Sequence, residues 1–196
     1  KLDHTTSREE ISALANIGME EGIFEEKENR ILQNLIRLKN MKVSEIMTPR
    51  TVVSIANENM SWNEFLKNKE YLKFSRIPVF SQKEENICGY VFRQTIFDKM
   101  ADNNDGLQLK DIKREILVIP DTMSVFNVWE LFSEKKELIA LIVDEYGTMD
   151  GIVTMEDIVE TLVGIEIVDE KDTITDMQQY ARERWELKQK KYHTEN

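Results

Sequence analysis

The chain has 196 residues, 41% hydrophobic and 32% charged, with 37 acidic against 26 basic side chains and a formal net charge of -11. That composition supports a packed core and excludes wholesale disorder. The charge excludes a nucleic-acid duplex as the main partner, because a phosphate backbone demands clustered Lys and Arg. Any phosphate ligand must be met locally, by a few cations, backbone N–H groups or a metal. Cys88 is the single cysteine, so there is no intrachain disulfide framework and no Cys-based zinc site, and a reducing compartment is expected. The longest apolar run, Leu138 to Val143, is far short of the ~20 residues that span a bilayer. No secretory signal opens the sequence, and its start at Lys1 is compatible with a fragment of a longer chain.

Residues 7 to 39 carry apolar side chains at three- and four-residue spacing: Ile11, Leu14 and Ile17, then Ile31, Leu32, Leu35, Ile36 and Leu38. Gly22 marks the break, so an acidic helical segment, 1–42, is expected to form a hairpin. Its Glu20, Glu21, Glu25, Glu26 and Glu28 are either a solvated helix face or a place for a divalent cation.

The next two segments, 43–105 and 106–168, repeat one another. "IANENMSWNEFLKNKEYLKFSRIPVF" and "VIPDTMSVFNVWELFSEKKELIALIV" align without a gap at an offset of 63, pairing Met60 with Met123 and Phe80 with Val143. One residue fewer in the second turn then sets Gly89 opposite Gly151 and Ile96 opposite Ile158. Each unit predicts a short strand, a helix capped by Ser61 or Ser124, two strands joined by a turn, and a closing helix. Trp62, Phe65 and Leu66 supply the apolar stripe of one capped helix; Val125, Val128, Trp129 and Phe132 supply the other. The expected fold is α/β (α+β): two βαββα units packed sheet to sheet on one core with pseudo-twofold symmetry, leaving two equivalent clefts. From Asp172 a C-terminal helix, within 169–196, is expected, with Ile174, Met177, Ala181 and Trp185 on one side and Lys188, Lys190 and Lys191 near its end.

These paired units resemble a tandem cystathionine-beta-synthase (CBS) domain pair, the Bateman module, and their detailed motifs resemble the CorC/CNNM family of magnesium and cobalt transport or efflux proteins. The resemblance rests on "VSEIMTPRTVV", "FSRIPVF" and "VDEYGTMDGIVTMEDIVETLVG", and extends to the acidic helical segment. It implies a regulatory module on the cytoplasmic face of the cell membrane, joined to an upstream membrane transport domain and paired with a second copy as a homodimer. A further C-terminal domain that many members carry is not expected here.

The junction at "VTMED" has two readings. Thr154 can cap the closing helix, with Asp157 reaching back to the cap N–H at the positive end of the dipole. The same geometry suits a nucleotide, since free N–H groups at a helix start accept phosphate and a carboxylate there accepts ribose hydroxyls. The resemblance implies the second use, for Mg-ATP above all, with AMP or ADP as alternatives and Mg2+ carried by the phosphates. In the first unit Phe92 stands where Thr154 does and Thr95 where Asp157 does, so one working site per chain is expected. By resemblance Thr51, Phe74, Arg76, Ile77 and Pro78 complete it: Phe74 offers a stacking face, Pro78 an apolar wall and Arg76 a guanidinium for phosphate. For Phe74, Ile77 and Pro78 core packing is the competing reading, and for Arg76 a surface ion pair.

An enzyme is not expected. The histidines, His4 and His193, stand at opposite ends, Cys88 has no histidine nearby in sequence, and no Gly-rich phosphate loop occurs. Two functions remain: a nucleotide-binding regulatory module, or a dimerisation module whose clefts are vestigial.

Overall fold

A computed structural model describes residues 7–101 and 106–164; the expected C-terminal helix and both histidines lie outside the described residues. Helix α1 (Arg8–Glu20) opens on a capping box in which the Ser7 hydroxyl accepts from Glu10 N–H and the Glu10 carboxylate accepts from Ser7 N–H, both at 3.1 Å. Gly22, at φ 76°, turns the chain into α2 (Glu26–Leu38). The helices meet through small and polar groups. Ala15 and Gly18 are buried, Asn29 Nδ2 donates to Asn16 Oδ1 at 2.9 Å, and Gln33 Nε2 donates to Ser12 O at 2.9 Å. The apolar stripe of α1 is therefore not its contact face: Ile11, Leu14 and Ile17 are 48%, 61% and 48% exposed. Glu28 is spent at the start of α2, accepting from Glu25 N–H at 2.8 Å. No group of three or more His, Cys, Asp or Glu side chains that could hold a metal occurs among the described residues.

The short strand β1 (Thr48–Pro49) precedes the two units. The first comprises β2 (Ala56–Asn57), α3 (Trp62–Lys67), β3 (Arg76–Phe80), β4 (Ile87–Phe92) and α4 (Arg93–Ala101). The second comprises β5 (Leu117–Pro120), α5 (Val125–Lys135), β6 (Ile139–Val143), β7 (Met149–Thr154) and α6 (Met155–Val163). In each, the first strand runs parallel to the second, which pairs antiparallel with the third. Even the bulge repeats, between Val79 and Phe80 and between Ile142 and Val143. Ser61 and Ser124 cap α3 and α5, accepting from the N–H groups of Glu64 at 3.3 Å and Asn127 at 3.2 Å.

The two units exchange their lead-in segments. Val43 N–H donates to Met123 O at 2.8 Å, seating the turn Val43–Glu45 at the start of α5. Leu109 N–H donates to Met60 O at 3.0 Å, seating the turn Leu109–Asp111 at the start of α3. Strand β1 adds antiparallel to β7, so the second sheet has the order β1-β7-β6-β5 and the first β2-β3-β4. Glycine permits both crossings: a β-carbon on Gly151 would stand 2.3 Å from the Thr48 carbonyl oxygen, and one on Gly89 2.4 Å from that of Arg114.

The single shared core expected from the sequence is not what the molecule builds. Buried side chains gather in two clusters. Trp62, Phe65, Ile77, Val79, Val91 and Ile96 take in Leu109 from the second lead-in, while Val125, Val128, Phe132, Ile142, Val153 and Ile158 take in Leu38 and Val43 from ahead of the first unit. Each sheet has one apolar face to cover, and its own helices with the borrowed turn cover it. Burying such a Leu or Val is worth about 1.5–3 kcal/mol, so the borrowed residues tie the units together.

Candidate functional site

Thr154 ends β7 in extended backbone (φ -117°, ψ 166°) and opens α6. Its Oγ1 accepts from Asp157 N–H at 3.3 Å, while Asp157 Oδ2 accepts from Thr154 N–H at 2.7 Å and from the Thr154 hydroxyl at 2.9 Å. The capping reading holds in full. Both bonds to the carboxylate fall on Oδ2; Oδ1 takes part in neither. Asp157 keeps part of its surface in solvent. Desolvation, with smaller repulsion from Glu160 and Glu156, nevertheless pushes its carboxyl from 3.8 up to about 7, against the Thr154 bonds that favour the charged form.

Arg76 begins β3 in the first unit, yet its Nη1 lies 3.7 Å from Glu156 Oε1 in the first turn of α6, with 19% of its side chain exposed. Its guanidinium also lies over the Phe92 ring, 5.3 Å from the centroid. Arg76 thus stands at the seam between the clefts, within reach of the helix start that Thr154 and Asp157 form. The other expected residues divide. Ile77 and Pro78 are buried, Ile77 inside the first core, and Phe74 is half-buried and packs against that core. Thr51 is exposed, in a turn after β1. Because β1 is antiparallel to β7 and Arg50 N–H donates to Asp150 O at 2.7 Å, the chain reaches Thr51 at the end of β7 away from Thr154. The lead-in residue opposite the Thr154 end is Thr48, paired with Ile152 and 9% exposed.

The first cleft differs. No capping pair opens α4; Arg93 N–H donates to Ser75 O at 2.9 Å and the Arg93 guanidinium donates to Leu72 O. Around Phe92 lies a cavity of about 120 Å3 whose walls include Arg76, Tyr90, Arg114, Lys136 and Glu137. Sequence reasoning missed Glu156, Thr48, Arg114 and Lys136. The lead-ins repeat too, as "VSEI" and "LKDI", but at an offset of 66, and that signal pairs Thr48 with Arg114. Burial pushes the Cys88 thiol up, against the Lys113 ammonium 3.4 Å away.

A family model described as the CBS domain matches residues 109–164. The magnesium and cobalt efflux protein CorC of Escherichia coli K12 is 27% identical over 184 residues, covering 93% of this chain and 63% of that protein. A UPF0053 protein of Synechocystis sp. is 28% identical over 180 residues, covering 92% of this chain and 52% of that one. The chain thus spans about half to two-thirds of the length of these relatives. Among solved structures, the CBS domain of the bacterial CNNM/CorC family Mg2+ transporter superposes with a TM-score of 0.77 at 27% identity, covering 83% of this chain and 99% of that one. Its complex with ATP gives 0.66 at 26% identity, covering 70% and 98%. The CBS domain of a Clostridium difficile 630 protein is 30% identical, with a TM-score of 0.60 and coverage of 65% of this chain and 98% of its own.

Proposed function

The chain belongs to the CBS-domain family, as a tandem pair of the CorC/CNNM type, and from that premise we propose that its second cleft binds an adenosine nucleotide and regulates an attached transport domain. The observation that carries this reading is the convergence of Arg76 from the first unit on the first turn of α6, beside Thr154 and Asp157. A helix start with a capping hydroxyl, a carboxylate and a guanidinium within reach supplies the groups a ribose phosphate requires.

In this reading Asp157 accepts from the ribose hydroxyls, Thr154 and the first N–H groups of α6 face the phosphates, and Arg76 leaves Glu156 to meet them. The exchange costs little, because Glu156 is 57% exposed and such surface pairs are worth at most about 1 kcal/mol. Applying the repeat to the cavity around Phe92 turns Glu137 into Phe74, Lys136 into Lys73 and Arg114 into Thr48. Phe74 is accordingly the candidate for stacking on the adenine. Ile77 supports β3 from the core, and Thr51 and Pro78 remain candidates for the adenine side. Mg-ATP is the preferred ligand over AMP and ADP, since the cation offsets the triphosphate charge in an acidic chain. The module is a non-catalytic sensor that sits at the cytoplasmic face of the membrane and pairs with a second copy.

Titration calorimetry with ATP, ADP and AMP, with and without Mg2+, tests the reading. One nucleotide should bind per chain, and Asp157→Ala should cost about 1.5–3 kcal/mol, tenfold or more in affinity, while the protein stays folded. The second reading, an assembly module with vestigial clefts, draws on the fact that Thr154 and Asp157 already satisfy each other. If no nucleotide binds and Asp157→Ala only lowers the melting temperature, that reading replaces the first.

A further inference from the structure

We propose that the first cleft, which lacks the Thr-x-x-Asp pair, is a site for a small oxyanion of the phosphate or sulfate type. Its cavity brings together Arg114 and Lys136 with Arg76, which borders both clefts, and a single carboxylate, Glu137. That carboxylate is engaged, accepting from the Tyr90 hydroxyl at 3.0 Å. The guanidinium carbons of Arg76 and Arg114 lie 5.3 and 5.9 Å from the centroid of the same ring, Phe92. A ring face attracts each cation without neutralising it, as a bound anion would. Only Arg76 has an ion-pair partner, the largely exposed Glu156 at 3.7 Å; Arg114 and Lys136 form no ion pair among the described residues. Three cations against Glu137 and the Glu156 partner of Arg76 leave this wall net positive in a chain of net charge -11.

The end of α5 fixes where Lys136 stands. Lys136 ends α5 in the left-handed conformation, φ 56° and ψ 34°. That is an ordinary left-handed helix end, with Glu137 N–H donating to Phe132 O at 3.2 Å, and glycine would hold it at lower cost. Here it places Lys136 at the wall of the cavity. At about 120 Å3 the cavity accepts a phosphate-sized ion and is well below the roughly 300 Å3 at which ligand pockets for larger molecules begin. The two clefts thus share one backbone plan and differ in ligand, a nucleotide for the one with a carboxylate and a bare oxyanion for the one with cations.

Titrating the full chain with inorganic phosphate, at ionic strength held constant with chloride, should show one saturable site per chain. Asp157→Ala should retain it, so failure of the nucleotide reading leaves this test intact. Arg114→Gln and Lys136→Gly should each weaken it at least about tenfold. Lys136→Gly also suits the left-handed backbone, so its melting temperature should hold or rise while affinity falls, separating a lost anion contact from a damaged fold. The proposal is overturned by the absence of saturable binding or by binding that survives both substitutions. Binding that disappears in Asp157→Ala but persists in Arg114→Gln assigns the anion to the second cleft and overturns it as well.

Discussion

Titration of Asp157 is expected to link stability to pH in an unusual direction. In the folded chain its carboxyl is pushed from 3.8 up to about 7, mainly because the neighbouring atoms displace water. Between those values the folded protein holds a proton that the unfolded chain has released. Stability from this group is fully present below about pH 4 and is lost as pH rises to 7, a span worth up to about 4 kcal/mol at 1.36 kcal/mol per pH unit. Glu58, held down at about 2 chiefly by its bond to Lys113, acts in the opposite sense and below that window. Asp150, also raised mainly by desolvation, acts in the same sense as Asp157, so the difference between two proteins isolates the effect. Urea denaturation of the chain and of Asp157→Asn in steps from pH 4 to 8 should show the native protein losing stability relative to the variant as pH rises. Nucleotide affinity should move the other way, strengthening towards pH 8 as the carboxylate able to accept ribose hydroxyls becomes populated. Parallel stability profiles for the two proteins would refute the argument that this carboxyl is desolvated.

Thr154→Ala removes the acceptor for Asp157 N–H and should cost about 1 kcal/mol in chemical denaturation, with weaker nucleotide binding measured in parallel by calorimetry. In Gly151→Ala the new methyl meets the Thr48 carbonyl, a backbone atom that cannot rotate away; β1 must shift, and a loss of about 1–3 kcal/mol should appear in the denaturation midpoint. Asn34→Ala deletes the bond from Asn34 Nδ2 to Leu162 O at 3.1 Å. If α6 carries the signal from cleft to hairpin, this variant should alter nucleotide affinity measurably although it touches no cleft residue; unchanged affinity would rule out that route.

The repeat made much of the fold legible, because strand order, the Ser61 and Ser124 caps and the strand glycines Gly89 and Gly151 recur at offsets of 63 and then 62. What escaped was long-range. Nothing in the periodicity around Val43 or Leu109 says which sheet each will cover, and the lead-ins repeat at 66 where the units repeat at 63 and then 62, so the correspondence of Thr48 with Arg114 does not show at the units' own offset. The pairing of Thr154 with Asp157 was legible because its motif is contiguous. Arg114 and Lys136 were not, because the cavity gathers side chains from positions 76 to 137, and no local pattern joins them.

Both ends of α6 are engaged, and this gives the second cleft a physical route to the rest of the chain. Its first turn carries Thr154 and Asp157, and its last residues abut α2, where Gly164 (φ 71°) leaves room for Arg30 and Asn34 that a β-carbon would crowd at 3.0 and 3.1 Å. A helix of this length is stiff compared with the turns at its ends, so a ligand that draws in the first turn tilts or shifts the last. Such a shift regulates only if the ligand prefers one arrangement of α2 against the second unit, and linkage then requires whatever grips the hairpin to alter nucleotide affinity by the same factor. The exposed Ile11, Leu14 and Ile17 on α1 would feel that movement directly, because α1 rests on α2 through Asn16, Asn29 and Gln33. That helix pair meets through polar groups of Ser12, Asn16, Asn29 and Gln33. Hydrogen bonds fix its register while its apolar stripe stays turned away from the body that moves it.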